Sequence, residues 1–246
     1  MARVEVLLLG TGDAFASGGR LQTCFSIQGS DTHVLLDCGP SVLVALRRHG
    51  LNPSSVDTIL LTHLHGDHFG GVPFFLLDAR FSLRNRLLTI AGPPGLEARI
   101  HSAMDALFPG SVELLERLEV RFVELSPAAK ADFRSISVVP YEVIHASGAP
   151  AYALRMTVGG KTIAYSGDTE WTDTLVDAAK NADLFICEAT SFEKQIRYHL
   201  SYRTLKAHQS TLGCRRLIIT HMGEDVLQRR GEIDIEQAED GKRLTL

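Results

Sequence analysis

The chain has 246 residues with 25 Lys and Arg against 29 Asp and Glu, a formal net charge of −4, which excludes a general polyanion binder and leaves any nucleic-acid contact to a local patch. A composition 45% hydrophobic and 22% charged is that of an ordinary globular protein. No stretch reaches the roughly 18 apolar residues of a membrane span. The apolar run near the N-terminus is too short for a secretory signal, and Cys24, Cys38, Cys187 and Cys214 form no CxxC pair; together these features read as a soluble protein of a reducing cytoplasm.

Residues 4–9 read as a buried first strand, followed by the loop Gly10-Thr11-Gly12-Asp13-Ala14. Its glycines permit a tight backbone near a cleft, but no GK[ST] follows, so it is no phosphate loop. Residues 21–28 and 33–36 alternate as a hairpin turning at Gly29-Ser30-Asp31. A helix is expected over 40–49, with Val42, Leu43, Ala45 and Leu46 inward and His49 at its C-terminal end, then a short buried strand over 58–61. Residues 72–81 form a core helix, 87–91 a strand stopped by Gly92-Pro93-Pro94-Gly95, and 96–108 an amphipathic helix carrying an isolated His101. Arg80, Arg84 and Arg86 are either a local anion-contact patch or a solvated helix end.

Further strands are expected at 118–125, 133–140 and 141–144, then a hairpin of 151–158 and 161–165 around Gly159-Gly160. A helix over 172–181, a strand over 184–187, a helix over 201–212, a strand over 216–220 and an edge strand at 243–246 complete the chain. The length fits one large domain or two small ones, and the motifs below, spread over the whole chain, favour a single domain, 1–246. Two halves rich in βαβ units fit an α/β (α+β) arrangement of two sheets flanked by helices.

The stretch Thr62-His63-Leu64-His65-Gly66-Asp67-His68 gathers four candidate metal ligands directly after a buried strand. His63 and His65, two apart in an extended segment, point to one side. Gly66 allows a sharp turn, after which Asp67 and His68 are free to face a second, neighbouring ion. The same pattern recurs: LLTH ends in His63, YEVIH in His145, AYSGD in Asp168 and LIITH in His221. Ligands at separate strand ends can converge on one edge of a sandwich.

HxHxDH after an apolar strand resembles the metallo-β-lactamase superfamily, which folds as a four-layer αββα sandwich of two mixed β-sheets flanked by helices, with one or two metals at its edge. The resemblance implies a first metal on His63, His65 and His145, a second on Asp67, His68 and His221, and Asp168 as the bridge; Asp67 also counts as a candidate catalytic group. Imidazole and carboxylate ligands suit two zinc ions, with manganese or iron compatible. Superfamily members commonly carry LxDxG before the metal loop, matching Leu35-Leu36-Asp37-Cys38-Gly39; Asp37 then either supports the loop through hydrogen bonds or serves as a turn or helix cap.

Glu188-Ala189-Thr190 and His199-Leu200-Ser201 resemble the HEAT and HST motifs of ribonuclease Z, the transfer-RNA 3′-endonuclease, whose HST histidine, oriented by the glutamate, is assigned to proton transfer. Here that makes Glu188 and His199 candidate catalytic residues. The alternative makes Glu188 a strand-end charge and His199 a helix-entry residue beside the capping Ser201. The long arm of ribonuclease Z is missing: the 22 residues from Ala146 to Gly167 are used by a hairpin.

The implied function is a dinuclear phosphodiesterase, in which a metal-activated hydroxide attacks RNA or a small cyclic phosphate and His199 protonates the leaving group. Alternatives are a small-molecule hydrolase of the same fold (a cyclic nucleotide or cyclic phosphate phosphodiesterase, arylsulfatase or lactonase) or a non-catalytic metal-binding module. Dimers are common in this branch, and the apolar segment 72–81 is a candidate homodimer surface; no membrane partner is expected.

Overall fold

The computed structural model describes residues 3–246. The first half lays down β1 (Glu5–Gly10), β2 (Cys24–Gln28), β3 (His33–Leu36), α1 (Val42–Arg48), β4 (Thr58–Leu60), α2 (Gly66–Phe69), α3 (Val72–Phe81), β5 (Leu88–Gly92), α4 (Leu96–Leu107) and β6 (Val120–Glu124). The second half follows with β7 (Ala131–Phe133), β8 (Ile136–Val143), β9 (Ala151–Val158), β10 (Lys161–Tyr165), α5 (Thr174–Ala179), β11 (Leu184–Glu188), α6 (Tyr202–His208), β12 (Leu217–Thr220), α7 (Glu224–Gln228), β13 (Glu236–Gln237) and β14 (Arg243–Thr245). One seven-stranded sheet runs β14-β1-β2-β3-β4-β5-β6 and the other β13-β12-β11-β10-β9-β8-β7.

The alternation within strands builds the layers. In β1, Val6 and Leu8 face the second sheet, while Leu7 and Leu9 face the helices. Between the sheets, Phe25 and Tyr165 meet edge to face with ring centroids 5.1 Å apart. Outside the first sheet, α1, α3 and α4 bury Leu46, Phe75, Leu76, Ile100 and Met104. Outside the second, α5 and α6 bury Leu175, Ala178 and Leu205. The result is the four-layer αββα sandwich, with mixed sheets flanked by helices.

One strand differs from expectation. Residues 136–143 form a single strand through Pro140, and residues 131–133 are a separate strand. Pro140 is tolerated because its missing N–H faces beyond the end of β7, where the Pro140 carbonyl accepts from the Ala128 N–H. Arg84 and Arg86 are not an anion patch: Arg84 donates to the carbonyls of Ser54, Val56, Arg86 and Leu87, and Arg86 pairs with Asp57.

At the edge opposite the metal-motif loop, His33 is buried between hydroxyls. The Ser55 hydroxyl donates to the Asn52 carbonyl, so it accepts from His33 Nδ1 at 2.9 Å; the Ser26 hydroxyl then donates to Nε2 at 2.8 Å. Burial lowers the imidazole pKa to about 4, against the raising effect of Asp57. A neutral His33 is therefore favoured in the folded chain, and its contribution is full above the unfolded value and lost as pH falls toward 4. Replacing His33 with Gln is expected to remove up to about 3 kcal/mol of the stability loss between pH 7 and pH 4, measured by urea unfolding across that range.

Candidate metal centre

In each sheet the chemistry-bearing residues follow the carboxyl ends of strands running the same way. Strands β3, β4 and β5 are parallel, and Asp37 and His63 follow the first two. Strands β10, β11 and β12 are parallel, and β8 runs with them because both β8 and β10 are antiparallel to β9. Asp168, Glu188, His221 and His145 therefore emerge at one edge. The loop after β4 does not merely turn at Gly66: His65, in extended conformation, stands at the N-cap position of the one-turn helix α2, which places Asp67 and His68. That helix packs tightly on the Cys38-Gly39 backbone. A side chain at Gly39 would lie 2.6 Å from the Asp67 carbonyl, and the Cys38 N–H donates to the His68 carbonyl.

Seven sequence-predicted groups come together in two sets. Ligand atoms of His63, His65 and His145 lie within 4.8 Å of one another, as do those of Asp67, His68, Asp168 and His221. Asp168 lies between the sets, 3.3 Å from His68 Nε2, 3.5 Å from His221 Nε2 and 3.9 Å from His63 Nε2. In the first set, His145 Nε2 is 3.0 Å from His65 Nδ1.

Four imidazoles are oriented from behind. His68 Nδ1 donates to Asp37 at 2.6 Å, His145 Nδ1 to the Tyr198 carbonyl at 2.8 Å, and His221 Nδ1 and His63 Nδ1 to the hydroxyls of Thr190 and Thr62, each at 3.1 Å. Each Nε2 thereby faces inward as the nitrogen that can take either a proton or a cation. His63 Nε2, His68 Nε2 and Asp168 Oδ1 are buried without a hydrogen-bond partner among the described residues. Buried polar atoms in that state are costly unless an ion completes them. The donor set, imidazole and carboxylate, fits zinc, manganese or iron.

The electrostatics agree. Burial, with the neighbouring imidazoles of His68, His145 and His65, pushes His63 well below its ordinary value. Burial alone would raise Asp168, but His221 and His68 hold it well below the carboxylate range. In return, and against burial, Asp168, Asp37 and Asp67 hold His68 well above its usual value, and Asp168 and Asp67 push His221 up to about 9. Protons and cations thus compete for the same inward atoms, so metal binding releases protons.

Glu188 is fully buried at the end of β11. It accepts from the Thr169 N–H, from the Thr190 hydroxyl and, at 3.2 Å, from His199 Nδ1. Burial lowers the affinity of His199 for a proton, but Glu188 outweighs it and the pKa is raised. Three supports had no sequence signal, because each acts through space. Glu170 Oε1 accepts from the Tyr198 N–H at 2.7 Å, fixing Tyr198 in a left-handed conformation (φ 69°) between His145 and His199. Thr190 joins His221 to Glu188. Asp240 accepts from the Thr11 N–H at 2.9 Å and hydroxyl at 2.7 Å, and the Thr11 carbonyl accepts from the His221 N–H at 3.1 Å. Of the two readings of Asp37, the geometry supports the first: it accepts from the Thr62 N–H at 2.8 Å and from His68, and the N-cap position of α1 belongs to Ser41, whose side chain makes no capping hydrogen bond. Asp37→Ala is expected to weaken metal binding about 10- to 100-fold, read by competition with a chelating dye.

The family described as "Anti-Pycsar protein Apyc1" matches residues 4–239. Ribonuclease Z of Agathobacter rectalis is 24% identical over 277 residues, covering 92% of this chain and 89% of its own length. The fold is shared with the metallo-β-lactamase fold protein YhfI of Bacillus subtilis (TM-score 0.79, 20% identity, both chains fully covered) and with the short form of human tRNase Z (TM-score 0.78, 24% identity, 98% of each chain). The chain belongs to the Anti-Pycsar protein Apyc1 family and is a ribonuclease Z-like, metal-dependent hydrolase of the metallo-β-lactamase superfamily.

Proposed function

We propose that the chain, as one domain, is a dinuclear phosphodiesterase acting in the cytoplasm. His63, His65 and His145 would hold one cation, Asp67, His68 and His221 the other, and Asp168 would bridge them. Bound divalent cations, zinc above manganese or iron, supply an activated water nucleophile and neutralise charge developing at phosphorus. The observation carrying the reading is the pair Glu188–His199, 3.2 Å apart, beside an Asp168 oxygen 3.9 Å from the same His199 nitrogen. Glu188 holds Nδ1 and keeps the imidazolium form available, so His199 would give a proton from Nε2 to the departing alkoxide. Asp67 would keep His221 and His68 in place and add negative charge beside the nucleophile.

The substrate is an RNA or a small phosphodiester. The β9–β10 hairpin occupies the stretch where the long-arm form of ribonuclease Z carries its RNA-gripping arm, which favours a small cyclic phosphate or cyclic nucleotide. The metal-loaded protein is expected to hydrolyse bis-p-nitrophenyl phosphate and to leave an aryl sulfate and a lactone largely untouched. Turnover of none of the three, with metal bound, would instead identify a binding module. His199→Ala is expected to lower kcat by about 10²- to 10⁴-fold with metal content retained. Because a protonated His199 is required, activity falls as pH rises through its pKa. Glu188→Gln removes the carboxylate that raises that pKa, so the alkaline limb of the pH–rate profile should move to lower pH.

A homodimer through α3 and α4 is part of the same reading. Phe81 is 73% and Leu83 77% exposed, and Phe74 and Leu107 lie nearby on the same helices. Phe81→Glu should convert a dimer, measured by light scattering, to a monomer.

A further inference from the structure

Six buried side-chain atoms have no hydrogen-bond partner among the described residues. Three of them, His63 Nε2, His68 Nε2 and Asp168 Oδ1, face the metal centre and suit a cation. The Tyr165 hydroxyl is a fourth, and it has no part in the chemistry above. A phenol is a donor in need of an acceptor, so a cation does not complete it. The other fully buried tyrosine between the sheets, Tyr152, gives its hydroxyl proton to the Leu125 carbonyl at 3.1 Å. A buried hydroxyl left alone is costly, so Tyr165 is an exception within its own core.

Tyr165 is the last residue of β10, three before Asp168, and is fully buried. Its ring stands edge-on to Phe25, and Phe25 pairs within the first sheet with Leu36, the residue before Asp37. The two sheets close on each other just above: a side chain at Gly167 would lie 3.0 Å from Thr62 Cβ. The phenol therefore sits between the sheets, under the carboxylate that orients His68. Asp37 is itself fully buried and accepts from the Thr62 N–H, the Thr62 hydroxyl and His68 Nδ1. A carboxylate offers about four acceptor positions, which leaves one unused. Burial, and after it the field of Asp37 ahead of those of Asp168, Glu188 and Asp67, pushes the phenol well above its ordinary value. The group keeps its proton, and in a low-dielectric core that dipole acts on a nearby anion even without a direct hydrogen bond.

We propose that Tyr165 is a positioning residue of the metal centre: its hydroxyl dipole stabilises the buried Asp37 carboxylate and, through it, the aim of the His68 ring. The proposal rests on the metal assignment above and is independent of which diester is cleaved. It gives the orphaned hydroxyl a task that a phenylalanine of the same shape would not perform.

The test is a double-mutant cycle on the full chain, with zinc affinity read by competition with a chelating dye. Tyr165→Phe deletes only the hydroxyl and is expected to weaken zinc binding by about fivefold or more. In the Asp37→Asn background, where the charge is gone, the same change should cost less than about twofold. Urea unfolding in EDTA should show Tyr165→Phe no less stable than the wild type, because the deleted atom has no partner there. An unchanged zinc affinity, an equal loss in both backgrounds, or a loss matched by a lower urea midpoint in EDTA would each overturn the proposal. Failure of the wild type to take up zinc would instead remove the metal centre itself, and the role of Tyr165 with it.

Discussion

Asp168, only 2% exposed, faces the imidazoles of His63, His68 and His221, and this one buried carboxylate governs the centre. A carboxylate taken out of water is destabilising by several kcal/mol unless charge and hydrogen bonds are restored around it. The neighbouring rings restore the charge, yet one oxygen has no hydrogen-bond partner among the described residues. The groups behind the rings, Asp37, Thr62, Thr190 and the Tyr198 carbonyl, serve to keep the inward nitrogens aimed at that same point. The fold's task is therefore geometric: it must deliver several strand ends to a common edge and then hold each side chain against rotation.

Much of that delivery was visible along the chain. Buried strands read as apolar runs, and those ending in His or Asp announced the edge where they would meet, as at His63, His145, Asp168 and His221. Residues 72–81 and 151–165 kept their expected bounds because a strongly apolar run and a Gly-Gly turn are local signals. Residues 136–143 did not: Pro140 suggested a break, and only the position of the short neighbouring strand explains why none is needed. The one-turn helix at 66–69 is too short to leave a periodic trace. Glu170, Thr190 and Asp240 were illegible for a different reason, since each acts on a residue reached through the fold and not through spacing.

The segment Asp168-Thr169-Glu170 binds these parts into one unit. Asp168 meets the ligand rings. The Thr169 N–H engages Glu188 and its hydroxyl accepts from the Ile144 N–H, while Glu170 reaches the Tyr198 N–H and donates its own N–H to the Ile144 carbonyl. Three consecutive residues thus touch both side-chain sets, the Glu188 carboxylate that holds His199 and the strand leading to His145. Left-handed backbone at Asp37, Tyr198 and His221 is tolerated because such cross-links over-determine it.

The link from Asp240 through Thr11 to His221 spans 229 positions of sequence between its first two members. Strand β14 returns to pair with β1 only a few residues later, at Arg243 to Thr245. Contacts of such separation close late, because the intervening chain must first lose its freedom. Synthesis proceeds from the N-terminus, so a nascent chain that has already paired most of its first sheet still lacks the Asp240 carboxylate that holds Thr11 behind His221. That support of the edge is complete only once residues 240–245 lie beside residues 5–11.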